Sequence, residues 1–421
     1  MTHRLIVQTR EFDPVDDLLA YADPDRPLAW LRRGDGIVAV GDTVLASIRV
    51  PAGEGALRST IMADAWRALS ENAEVDDPVG LPGTGLVGFG ALTFDEGSDA
   101  DSILLVPSII LGRHQGRGWI TRIAQAGDDL PQDQPDAALE SRAYGPHWAG
   151  TVGPGAQSPE GYQRSVRAAL TRIAGGEASK IVLARDLAGT IPAGSDLRRL
   201  VRALSTGYPD TWTFAVDGLI GASPETLVTV QDRTVTARVL AGTIGRGADA
   251  DEDAAASAHL ASSTKDIDEH EYAVQSLLES LRPHVRAMAA SEQPFLLKLP
   301  NLFHLATDVE AELSEGESAL DLVGAVHPTA AVAGTPTPAA VAAIREIEPF
   351  DRGRYAGPVG WIDGDGNGEW AIALRCAQFT AGPEAIAVTA YAGAGIVAAS
   401  DPETELLETR VKFRPLVDAL A

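Results

Sequence analysis

Two pairs of carboxylates stand three residues apart in this chain, Asp266 with Glu269 and Glu405 with Glu408. Residues at i and i+3 of a helix face the same way, so each pair presents its acids together. Two such helices meeting would offer up to four carboxylates to a hard cation. Magnesium is commonly held by one or two carboxylates with waters and substrate oxygens. Each pair alone also reads as acids complementing a helix N-terminus. Lys180 lies in the apolar run Lys180-Ile-Val-Leu-Ala-Arg185. Such a lysine either reaches its ammonium to the surface or, desolvated, has its pKa lowered and becomes a general base. Glu225 follows a turn signal in Gly221-Ala-Ser-Pro-Glu225 and by itself reads as a solvated loop acid. Two glycine-bearing segments, Ala241-Gly242-Thr243 and Gly393-Ala394-Gly395, would let backbone amides approach an anionic ligand. No Walker loop, dinucleotide fingerprint or zinc-spaced Cys/His cluster is present.

The elements that must position these residues follow from periodicity. Ser158 is a good N-cap and Pro159 a good first helical residue. Tyr162, Val166, Ala169, Leu170 and Ile173 then recur at helical spacing, and Gly175 and Gly176 end the helix. Lys180 opens a strand over 180–185, sharing a face with Val182 and Ala184. Further strands are predicted at Trp212–Val216, 227–230 and 234–240. A helix over 266–281, closed by Pro283, carries the first acid pair, and another follows at 338–347. A strand over 370–378, a strand over 385–390 and a helix over Pro402–Leu420 complete the chain. Before them, up to about residue 145, short β-like runs such as RLIVQTR, GLVGFGALTF and DSILLVPSIILGR alternate with turn residues. The Gly/Pro-rich stretch 144–158 reads as a linker. The expected class is α/β in the α+β sense, with a β-rich N-terminal subdomain over 1–150 and a catalytic domain over 155–418.

Composition narrows the function. The 421 residues are 45% hydrophobic, with a formal net charge of -25. Binders of duplexes or anionic membranes show a basic face, so neither nucleic acid nor membrane is an expected partner. An anionic substrate would need a local positive site or a bound cation. The single cysteine, Cys376, rules out an internal disulfide framework. With no secretory signal and no apolar stretch long enough to span a bilayer, a cytoplasmic location is expected.

Taken in order, the segments SKIVLAR, IGASPETL, LAGT, KDIDEH, NLFHLAT, VHPTAAVAG, EPFDRGRYAGPVGW, GNGEWAIALRCA, AYAGAGIV and ETELLETRVK resemble the chorismate-utilising enzymes. That family contains isochorismate, salicylate, anthranilate and aminodeoxychorismate synthases. The resemblance covers roughly 155–418, and PLAWLRRGDG and LVGFGALTF extend it less sharply toward the N-terminus. It implies a large fold of two stacked antiparallel sheets with helices outside and the site between them. It also implies roles. Lys180 matches the base that activates water, and Glu225 the acid that protonates the departing C4 hydroxyl. Glu269 and Glu408 match the main magnesium ligands, with Asp266 and Glu405 as supporting carboxylates. Gly242, Thr243, Ala331, Arg375, Gly393, Gly395 and Lys412 match substrate-holding positions, and His304 and Tyr355 line the same pocket. The implied partner is the small molecule chorismate, with no obligate protein partner.

Two positions discriminate within the family. Anthranilate synthases carry glutamine where Lys180 stands, and aminodeoxychorismate synthases a nucleophilic lysine where Ala241 stands. The resemblance therefore implies isochorismate synthase activity, serving menaquinone or siderophore synthesis. Salicylate synthase is the alternative, since such enzymes share Lys180 and Glu225 but differ at NLFHLATDVEAEL, at His327-Pro-Thr329 and at GNGEW. A catalytically silent chorismate-binding protein is a further alternative. The isochorismate pattern expected after His327 is HPTPALSG; here Ala330 and Ala333 replace proline and serine.

Overall fold

A computed structural model describes residues 4–42, 44–53, 57–128, 130, 139–247, 249–298 and 302–421; the side chains of Thr243, Lys265, Glu269 and Leu302 lie outside that description. Among the described residues the strands form two large sheets, one of 13 strands and one of 10. Strand pairing among the described residues is antiparallel except for Leu5–Phe12 beside Glu74–Asp76. Strands from before and after residue 150 share both sheets: Leu31 pairs with Thr213 in the larger, and Phe89 with Trp361 in the smaller. The main core cluster lies between the sheets and includes Trp30, Phe89, Phe214, Trp361 and Trp370. Glu369 ties the two together, accepting from Trp30 Nε1 at 2.9 Å and from Trp361 Nε1 at 3.1 Å.

Helices α1 (Arg58–Glu71), α2 (Pro159–Ala174), α3 (Arg198–Gly207), α4 (Ala250–Ser262), α5 (Thr264–Leu281), α6 (Ala319–Val326), α7 (Thr337–Ile347) and α8 (Pro402–Leu420) pack around the sheets. A second core cluster joins α3 and α8 to the larger sheet through Leu200, Leu204, Phe413 and Leu416. The start of α2 forms as its sequence dictates. Ser158 caps it, its Oγ accepting from Gly161 N at 3.0 Å, and Pro159 occupies the first turn. Gly176, at φ +78°, leaves the helix in the left-handed region.

Two expectations change. The stretch 144–158 is not all linker, because Thr151–Pro154 pairs with Leu187–Thr190 as an edge strand. The single strand expected over 370–378 is two strands, Gly368–Ile372 in the smaller sheet and Cys376–Ala381 in the larger. The break falls at Arg375, whose φ is +50°. A nearly continuous apolar run on either side of Arg375 hides it, because both halves are buried.

Candidate active site

The break at Arg375 has a counterpart. Leu219–Ser223 belongs to the larger sheet and Thr226–Gln231 to the smaller, so the chain steps between sheets at Pro224 and Glu225. The two crossings lie side by side. Ile372 N donates to Glu225 O at 3.0 Å and Ala222 N to Arg375 O at 3.3 Å, while Ser223 Oγ donates to Ile372 O at 2.6 Å. A carboxylate and a guanidinium distant in sequence are thereby fixed at one seam. Burial pushes the Glu225 carboxyl pKa up, against the opposing pull of the Lys180, Arg375 and Lys412 charges. Burial likewise lowers the Arg375 pKa; an arginine so placed stays charged and is a ready partner for a carboxylate.

Lys180 begins the strand Lys180–Pro192 and pairs with both Thr335 and Val397. Its side chain lies across Gly395, where an added Cβ would come within 2.9 Å of Lys180 Cε. Glycine at 395 thus leaves the room in which the lysine lies. Lys180, Glu225 and Ala331 all line one cleft of about 2480 Å³ that runs between the sheets.

A second group gathers around Gly242. This residue is bulged out of the pairing between Thr234–Gly245 and Leu302–Leu313, and its φ of +74° is why glycine stands there. A Cβ at 242 would approach Asp266 Cβ at 3.3 Å. Asp266 lies in the first turn of α5, whose cap is Ser263. His304 hydrogen-bonds the Gly242 backbone, and its pKa is lowered chiefly by burial and further by the Lys180 charge. Thr243 pairs with His304 along the strands. The Thr243 side chain and that of Glu269, on α5, lie outside the described residues. His270 had no assigned role in the sequence, although it stands four residues after Asp266. It is 2% exposed, and its ring bonds Ala241 O at 3.1 Å and Thr307 Oγ1 at 2.7 Å. It thereby pins α5 to the bulge.

The third group belongs to α8. Glu405 is buried, and its carboxyl pKa is raised by burial and by the neighbouring Glu408 charge. Glu408 pairs with Lys412 at 2.5 Å, and Lys412 Nζ also donates to Gly393 O at 2.9 Å. Tyr355 is buried and stacks on Tyr391 at 5.0 Å. Two neighbouring carboxylates, of which Glu408 is paired with an ammonium, leave negative charge that a dication would relieve, and all their donor atoms are hard oxygens, as magnesium prefers. Among the described residues no three His, Cys, Asp or Glu side chains come close enough together to hold a metal. Asp266 is beside Gly242, and Glu408 of the α8 pair binds Lys412, which reaches Gly393. The structure thus brings Lys180, Arg375 and Lys412 within electrostatic reach of Glu225, and among the described residues it does not bring Asp266 into one group with Glu405 and Glu408.

The whole chain from residue 2 to 421 matches the chorismate binding enzyme family. The chain belongs to that family. Among its relatives is the isochorismate synthase DhbC of Bacillus subtilis, 42% identical over 62% of this chain and 68% of that protein. The salicylate biosynthesis isochorismate synthase of Pseudomonas aeruginosa is 31% identical over 99% of this chain and 90% of its own. The fold is that of MenF, the menaquinone-specific isochorismate synthase from Escherichia coli, with a TM-score of 0.77 over 99% of this chain and 95% of that one, at 24% identity. For a chorismate-binding enzyme the substrate is a small anion, consistent with positive charge gathered at Lys180, Arg375 and Lys412 in an otherwise acidic molecule. No helix among the described residues is long and apolar enough to cross a membrane.

Proposed function

We propose that this chorismate-binding enzyme is an isochorismate synthase, which moves the hydroxyl of chorismate from ring carbon 4 to carbon 2. The observation that carries the reading is Glu225, a carboxyl at the seam between the sheets whose pKa burial raises, sharing one cleft with Lys180. A raised carboxyl keeps the proton that a leaving hydroxyl needs. Lys180, unprotonated, takes a proton from the water that attacks C2. The ring double bonds shift as the new C–O bond forms, and the C4 oxygen departs as water with the Glu225 proton. Arg375 holds a substrate carboxylate as a planar fork, and Lys412, Gly242, Gly393 and Gly395 complete the anion-binding wall. His304, Tyr355 and Ala331 shape the pocket around the ring.

Glu269 and Glu408 would hold magnesium, with Asp266 and Glu405 behind them. The ion would supply charge stabilisation at the substrate's ring carboxylate. The relatives' names include a menaquinone-specific enzyme and one of salicylate biosynthesis, and the product here would feed menaquinone or a siderophore.

The test is incubation with chorismate and magnesium near neutral pH, followed by assay of isochorismate, salicylate and pyruvate. Isochorismate should form, and the reaction should run in reverse from isochorismate. Stoichiometric pyruvate with salicylate as main product would replace this reading with a salicylate synthase.

A further inference from the structure

Glu348 and Arg352 form a buried ion pair, 7% and 4% exposed. The guanidinium meets the carboxylate as a fork, Nη2 to Oε1 at 2.6 Å and Nε to Oε2 at 2.9 Å. Neither residue lines the cleft. Each, however, has further backbone partners in segments that also contribute to its walls. Arg352 Nη2 donates to Val182 O at 2.7 Å and Nη1 to Val332 O at 2.9 Å. Glu348 Oε1 accepts from Ala184 N at 2.7 Å.

These contacts fill a gap in the sheet. One edge of Lys180–Pro192 is paired at Lys180 and Ile181 by Gly334–Thr335, and again from Leu187 to Thr190 by Thr151–Pro154. Between them, among the described residues, no strand runs along that edge. Val182 O and Ala184 N would lack ladder partners there, and the ion pair supplies both. Val182 shares the face of Lys180, two residues on. Val332 follows Ala331, which lines the cleft. A third wall is attached as well, because the Arg352 guanidinium lies 4.3 Å from the ring of Phe94. Phe94 also lines the cleft, and its carbonyl accepts from His327 Nε2 at 3.2 Å.

A buried ion pair is weak evidence of a stability role, since desolvating two charges offsets most of their attraction. Its geometry here joins the strand of Lys180, the turn of Ala331 and the loop of Phe94. We propose that Glu348 and Arg352 are positioning residues that set the alignment of Lys180 over the substrate. This rests on the reading of Lys180 as the base.

The molecule holds its own control. Arg198 and Asp196 are equally buried and paired at 2.7 Å, and Arg198 gathers the carbonyls of Ala20, Arg142 and Ala143, none of which line the cleft. Arg352→Lys keeps the charge, but a compact ammonium cannot serve the fork and both carbonyls in one plane. On folded protein, kcat should fall by about tenfold to a hundredfold, the scale of a small misplacement of a catalytic group. KM for chorismate should stay within about twofold. Arg198→Lys should lower the melting temperature with kcat unchanged. If Arg352→Lys does not fold, Glu348→Gln carries the same test with a smaller loss. In a Lys180→Gln background, Arg352→Lys should add little to the loss, because both act through one group. An equal loss from Arg352→Lys with and without Lys180 would overturn the proposal alone. Full turnover by Lys180→Gln would overturn the reading of the base, and the proposal with it. Unchanged kcat in folded Arg352→Lys and Glu348→Gln would leave the pair a structural clamp only.

Discussion

At the scale of single residues, the chemistry depends on which group holds a proton. Glu225→Gln keeps the shape of the side chain and removes the proton donor proposed for the C4 oxygen. Turnover should drop by about a hundredfold to ten-thousandfold, the usual worth of general acid catalysis; steady-state kinetics with chorismate checks this. The same variant has a stability signature. A carboxyl whose pKa is raised on folding contributes stability that is present below the ordinary carboxylate range and is lost as pH rises through the folded value. Since burial raises Glu225, the melting temperature of Glu225→Gln should gain on the wild type as pH rises from acid toward neutral. A pH series of thermal melts reads that gain, and a constant difference would show that Glu225 titrates normally. The metal assignment is tested in the same place. Glu408→Gln should lose most activity while remaining folded, and chelator-treated wild type should recover with magnesium. Full activity in chelator would remove the metal from the mechanism.

At the scale of elements, α5, which carries Asp266 and Glu269, is tied to the sheet by a buried imidazole. His270 bonds the Ala241 carbonyl on the bulged strand and the Thr307 hydroxyl on the next. His270→Phe would leave both without that partner, at about 1–3 kcal/mol for a buried polar group left unpaired. The expected outcome is a lower melting temperature and faster amide exchange along α5, with a higher magnesium concentration needed for half-maximal activity. Unchanged exchange in α5 would show that the helix is docked by its apolar face alone. The bulge itself could not be read from the sequence. LAGT advertises a glycine but not the left-handed conformation that takes Gly242 out of the ladder.

At the scale of the whole molecule, the two sheets are woven from distant parts of the chain. Leu31 pairs with Thr213, Phe89 with Trp361, and Glu369 binds Trp30 across the core. A chain beginning near residue 155 would expose the strand edges and the tryptophan faces these contacts cover. It should show no cooperative thermal transition, whereas the full chain should melt in one step. Calorimetry on both would decide, and a sharp transition in the shortened chain would mean that the catalytic part folds alone.

What the sequence determined by itself was local or carried by motif. Helix α2 begins at Ser158 and Pro159 and ends at its two glycines because capping chemistry depends on adjacent residues. The strand of Lys180, the helix of the first acid pair and the final helix all follow from short-range periodicity, and the family was legible from ten segments in order. The tertiary structure alone decided that Glu225 and Arg375 meet. Each lies at a step between sheets, and such a step leaves no periodic trace where both flanking strands are buried. It alone showed Glu348 and Arg352 bridging the strand of Lys180 to the turn of Ala331, since their partners are backbone atoms, which every residue possesses and no sequence pattern marks.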